Sequence, residues 1–117
     1  MKTLFLAESQ NHVRRAIQLV LEQHAEIVLI GEADHAESLL AQVCTQPPEV
    51  IVLGWNLAGA NHIRLIATLR KHCPATKIVA MSVKPELEVS IREYGVDGFI
   101  SKQIPPEEFI AALLDQI

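Results

Sequence analysis

The sequence predicts an α/β fold: a parallel sheet with helices on both faces. Three observations carry this. Short apolar, strand-like runs alternate with amphipathic helical stretches five times along the chain. The middle run, residues 49–53 (EVIVL), is apolar nearly throughout, as a parallel strand buried on both faces should be. Prolines and glycines punctuate the boundaries between runs. Alternation this regular implies right-handed crossovers between parallel strands.

Taken in order, residues 3–7 (TLFLA) read as the first strand. Residues 11–24 read as a helix, with Val13, Ala16, Ile17, Val20 and Leu21 spaced along one face. Residues 26–31 form the second strand. Asp34 with Glu37 three residues later predicts a capping box. The helix behind it places Ala36, Leu39, Leu40 and Val43 on one face and stops at Pro47-Pro48. After the strand at 49–53 comes a loop over 54–60, then a helix over 61–72 ended by Cys73-Pro74. Strand four is 77–81. A fourth helix is expected from Pro85 to Gly95, with proline at its first turn and glycine just past its end. Strand five is 98–101. Pro105-Pro106 open the last helix, with Glu107 and Glu108 at its positive end.

The 117 residues make one domain, 1–117, long enough to bury a single core. No apolar run approaches the roughly 18 residues that cross a bilayer, and the N-terminus lacks the long apolar stretch of a signal peptide. A cytoplasmic location is expected. The net charge of −4 argues against nucleic-acid binding by this domain itself, because phosphate contacts dominate that affinity. The basic pairs Arg14-Arg15 and Arg70-Lys71 read as solvated helix faces. Cys44 and Cys73 have no metal-like spacing and read as two free thiols. Neither a phosphate-loop motif nor a dinucleotide fingerprint follows the first strand. The five histidines form no H-E-x-x-H, and no G-x-S-x-G elbow is present. Neither an enzyme activity nor a cofactor is expected.

In open α/β sheets, ligands bind outside the C-terminal ends of the strands. Those ends read "LAES", "LGWN", "AMSV" and "GFISK". With "ESQNHVRRA" in the first unit and "REYGVDGFISKQIPPEEFIAAL" in the last, the chain resembles the receiver domain of two-component response regulators, of LuxR/NarL type. The most specific stretch is Gly95, Asp97, Gly98, Phe99 and Lys102, which follow the family's G-x-D-G-aromatic-x-x-K pattern. The resemblance implies a doubly wound (βα)5, flavodoxin-like fold with strand order 2-1-3-4-5.

The resemblance also implies roles at the strand ends. The family uses an acidic pair, an acceptor aspartate, a hydroxyl and a lysine to take a phosphoryl group with Mg²⁺. Hard divalent ions seek such carboxylate and carbonyl oxygens. Here the acidic pair falls on Glu8 and Ser9, and the acceptor falls on Gly54. Asn56 stands at the position of a metal-ligating carbonyl, Ser82 at the hydroxyl, Lys102 at the lysine and Phe99 at the switch aromatic. Gln103 replaces a common proline. Glycine has no side chain to accept anything, and the loop over 54–62 contains no acid. Lys102, without its usual anionic partners, is expected to pair with Glu8, and Ser82 to hydrogen-bond locally. Trp55 is expected at the pocket rim or on a contact surface.

These residues predict a degenerate phosphorylation site without metal. The expected function is a phosphorylation-independent protein-interaction or dimerisation module in bacterial signalling, regulating transcription through an attached or partner DNA-binding domain. The expected face is helix four, strand five and helix five, with Val89, Tyr94, Ile110, Leu114 and Ile117 as contacts. Two alternatives stand beside it. One is a small-molecule sensor using the pocket vacated at Gly54. The other is a phosphorylatable receiver with a non-standard acceptor.

Overall fold

The computed structural model describes all residues from Met1 to Ile117. The strands are β1 Lys2–Ala7, β2 Ile27–Ala33, β3 Val50–Gly54, β4 Lys77–Ser82 and β5 Gly98–Ser101. They form one sheet in the order β2-β1-β3-β4-β5, with every pairing parallel. The helices are α1 Asn11–Leu21, α2 Ala36–Thr45, α3 His62–His72, α4 Glu88–Arg92 and α5 Pro106–Asp115.

Side chains along β3 alternate between two separate cores, as the two-residue strand period requires. Ile51 and Leu53 enter a core with Leu39 and Val43 of α2, Leu65, Ile66 and Leu69 of α3, and Ile91 of α4. Val50 and Val52 enter the other, with Ile17 and Leu21 of α1 and Phe109, Ile110 and Leu113 of α5. All five residues of β3 are buried, which accounts for its unbroken apolar run.

Several local expectations are corrected. The predicted capping box at Asp34 does not form. His35 is the N-cap and has no side-chain cap bond. Asp34 instead places Oδ1 2.6 Å from His35 Nδ1, and Ala36 N–H donates to the Ala58 carbonyl. A neighbouring loop thus supplies what a local cap was expected to supply. Helix α1 ends at Leu21 instead of 24, because the N–H groups of Gln23 and His24 donate three residues back, tightening the chain into a turn. Strand β2 runs two residues beyond its predicted end, with Glu32 and Ala33 paired to Leu6 and Ala7.

The predicted fourth helix is a 3₁₀ turn, Pro85–Leu87, followed by only five α-helical residues. Its far end is a turn in which Gly95 adopts φ +96°, the left-handed conformation that glycine takes without strain. At the other side of the sheet, β5 is an edge strand. The Phe99 N–H donates to Gln116 Oε1 at 2.6 Å, so the end of α5 folds back over that edge.

Candidate functional site

The C-terminal ends of β1, β3, β4 and β5 bring Glu8, Gly54, Ser82 and Lys102 together. Backbone bonds set the rim: Trp55 N–H donates to the Met81 carbonyl at 2.8 Å, and Lys102 N–H to the Ser82 carbonyl at 2.8 Å.

Glu8 is completely buried. Its Oε2 accepts from the Gln10 N–H at 2.9 Å. Its Oε1 lies 2.7 Å from the Lys102 ammonium, whose side chain is also buried. That contact is an ion pair without hydrogen-bond alignment, and Oε1 has no other partner. Lys102 Nζ also reaches Asn56 Oδ1 at 3.3 Å. Arg14 braces the loop by donating to the Glu8 carbonyl at 2.6 Å and the Ser9 carbonyl at 3.2 Å.

Gly54 is buried among these groups. A Cβ placed on it would lie 3.1 Å from Glu8 Cδ and closer still to Glu8 Oε1. The Glu8 carboxylate therefore fills the space where a side chain at position 54 would begin. This corrects the expectation of a vacated pocket: the room left by Gly54 is taken. The nearest cleft, about 310 Å³, lies to one side, between Trp55, Ser82, Lys84, Leu87 and Lys102. Ser82 is buried, and its Oγ accepts from the Lys84 N–H at 3.1 Å.

Mg²⁺, which the fold family implies, does not fit these donors. One carboxylate faces the position, and one of its oxygens already holds an ammonium ion. A divalent cation beside Lys102 would meet like charge, and no group of three His, Cys, Asp or Glu converges anywhere in the chain.

Phe99, at the switch position, is packed in the core against the α3 and α4 side. Of the five residues expected on a contact face, Val89, Tyr94 and Leu114 are exposed. Ile110 is not: it is buried in the α1–α5 core. Ile117 packs partly against the same core. Of the three expected contacts in the last unit, only Leu114 is therefore left exposed. Cys44 is exposed and Cys73 buried, both as free thiols, and burial pushes the Cys73 thiol up.

Sequence reasoning missed two features. Trp55 stacks on His62 with ring centroids 3.8 Å apart, and Tyr94 meets both rings edge-on. His62 Nε2 lies 2.6 Å from the Trp55 carbonyl, which requires its N–H to sit there. The second is the Arg70–Asp97 contact at 2.7 Å under α3. Asp97 also accepts from the Ile78 N–H at 2.8 Å. Partial burial opposes its ionisation, but that hydrogen bond and the Arg70 guanidinium outweigh it and hold the carboxyl below the usual range.

Comparison with known proteins agrees with this geometry. The chain is 26% identical over 113 residues to the nitrate/nitrite response regulator protein NarL of Escherichia coli K12, covering 95% of this chain and 52% of that protein. It is 28% identical over 116 residues to the phosphate regulon transcriptional regulatory protein PhoB of Pseudomonas aeruginosa, covering 96% of this chain and 50% of that protein. The chain thus spans about half the length of these curated relatives. A LuxR-family DNA-binding response regulator from Staphylococcus aureus superposes with a TM-score of 0.85 at 20% identity, over 98% of both chains. The receiver domain of NarL from Mycobacterium tuberculosis gives 0.85 at 21% identity, over 97% of this chain and 94% of that one. The model of the response regulator receiver domain matches residues 4–114. With its strand order, its site at the four strand ends and this near-complete match, the chain belongs to the response regulator receiver domain family.

Proposed function

We propose that this receiver domain works without phosphorylation, its phosphoryl-transfer site replaced by a fixed internal ion pair. One observation carries the reading: the Glu8 carboxylate occupies the space beside Gly54 and pairs with Lys102. The acceptor is gone, its volume is filled, and the lysine that would meet phosphoryl oxygens already has an anion. Electrostatic stabilisation of a transferring phosphoryl group needs free cationic donors, which this arrangement withholds.

What remains is a surface. The domain acts as a protein-interaction or dimerisation module in bacterial two-component signalling. Relatives described as transcriptional regulators and DNA-binding response regulators support an output in transcription, delivered by an attached or partner DNA-binding domain. A cytoplasmic location fits this role. No helix is long and apolar enough to cross a membrane.

The test is direct. The protein is incubated with acetyl phosphate and Mg²⁺ beside a receiver that retains its aspartate, and intact masses are compared. The control should gain a phosphoryl group while this protein stays unmodified. A phosphoryl adduct on this chain would overturn the proposal.

A further inference from the structure

The exposed large apolar side chains are not scattered evenly. Ile63 and Val89 are 72% and 73% exposed, and Val83 and Tyr94 are 51% and 41% exposed. All four lie on or beside α3 and α4. Between these helices runs a groove of about 650 Å³, lined in part by Ile63, Ile66, Ala67, Ser90 and Tyr94. It is firmly built. Arg70 donates to the Gly95 carbonyl and to Asp97, both at 2.7 Å, tying the end of α3 to the turn after α4. Tyr94 leans on the Trp55–His62 stack.

The two lips of this groove carry opposite charge. Helix α3 (HIRLIATLRKH) holds Arg64, Arg70 and Lys71 and no acid. The 3₁₀ turn and α4 hold Glu86 and Glu88, and Glu93 follows at the groove wall. Glu88 is paired with Arg92 at 2.8 Å, whereas Glu86 and Glu93 have no ion-pair partner within the chain.

We propose that the α3–α4 face is a self-complementary interface that joins two copies of this chain about a two-fold axis. Both helices run back from the C-terminal ends of the strands, so they are parallel. A two-fold axis running along the groove, parallel to both helices, lays each α3 over the partner's α4 with their directions kept parallel. Arg64, near the start of α3, then meets Glu86, in the 3₁₀ turn that precedes α4, in the other copy. Lys71, at the end of α3, meets Glu93, just past the end of α4. Each contact occurs twice, as an isologous interface requires. Ile63, Val89 and Tyr94 close around the axis as its apolar centre, with the charges at the rim. A partner of one charge would set like against like at one lip, which is unfavourable. A second copy satisfies both. The inference rests on the interaction-module reading of the domain and not on whether the site takes phosphate.

Sedimentation velocity across a concentration series tests it. The wild-type chain should pass from monomer to dimer. Glu86→Arg and Arg64→Glu should each weaken the dimer by roughly tenfold or more, since both copies of the Arg64–Glu86 contact then oppose like charges. Mixing the two variants should restore it, because each reversed residue meets its opposite. Ile63→Glu should abolish the dimer, with circular dichroism confirming the fold. A wild-type monomer at all concentrations would overturn the proposal. So would a dimer indifferent to both reversals, which would place the contact elsewhere, such as at Leu114. Failure of the mixture to recover would overturn the two-fold arrangement. Intact masses from the same samples, with acetyl phosphate and Mg²⁺, read the phosphorylation question separately.

Discussion

Glu8 and Gly54 share one side-chain volume: the carboxylate carried by the end of β1 occupies the place where a side chain at the end of β3 would start. The glycine is there for space, since its backbone does not adopt a positive φ. Two positions 46 residues apart in a sequence of 117 have thus become a single steric unit.

Gly54→Ala should destabilise the fold by about 1–3 kcal/mol, the usual range for overpacking a filled core. Elsewhere in a strand the same change would gain stability, because glycine pays more backbone entropy than alanine. Glu8→Ala should relieve the clash. Urea denaturation of the two single variants and the double variant should therefore show strong coupling. Simple additivity would mean that the two residues do not compete for space.

Removing one member of the Glu8–Lys102 pair should be costly. Lys102→Met leaves a buried carboxylate without its cation, and the expected loss is about 3–5 kcal/mol. The double variant Glu8→Gln/Lys102→Met should recover much of that loss. Denaturant midpoints at neutral pH measure both. Equal losses in the single and double variants would show that the charges do not balance one another.

Asp97 should make stability sensitive to acid. Its folded carboxyl lies below the ordinary value of 3.8. Its contribution is therefore complete above that ordinary value and lost as pH falls through the lower folded one. Asp97→Asn should weaken the fold at pH 7, by about 1–3 kcal/mol for the charge-assisted bonds to Arg70 and Ile78. It should also flatten the decline of stability at acid pH. Thermal melts from neutral pH downward would reveal parallel curves if Asp97 had no such role.

Helix α3 should be sensitive to its cap. The Asn61 side chain accepts from the Arg64 N–H at 3.2 Å. Asn61→Ala should cost about 1 kcal/mol, and Asn61→Asp should cost little. Because Arg64 and Ile63 stand in that first turn, a frayed helix should also weaken self-association. Denaturation and sedimentation of the two variants check both effects.

The fold was largely legible because its signals are local. A nearly continuous apolar run at 49–53 marks a central strand, and a helical apolar stripe at Val13, Ile17 and Leu21 marks α1. Where a boundary was set by a distant group, the sequence misled. Asp34 looked like a cap, but the Ala58 carbonyl took over the first N–H of α2. Ile110 looked like a contact on an exposed face, but it packs into the core shared with α1. The identities at the site were readable, since strand ends in such sheets converge. The Glu8–Lys102 pair was foreseen from the absence of other partners. That Glu8 also fills the space beside Gly54 depends on a side-chain path between two strands, which no local pattern encodes. The same holds for His62, which reads as one surface histidine among five until its ring is seen lying on Trp55.

The hydrogen bond from Phe99 N–H to Gln116 has a consequence for how anything can join this molecule. A bare edge strand invites an incoming chain to extend the sheet, by peptide capture or by runaway stacking into fibres. Here the end of α5 latches that margin with a side-chain carbonyl. At this margin, association is left to side chains on the neighbouring helical surfaces, where charge contacts are screened by ions. Replacing Gln116 with Ala should therefore open the β5 margin, and a faster rise of thioflavin fluorescence in that variant than in wild type would show that the latch restrains sheet extension there.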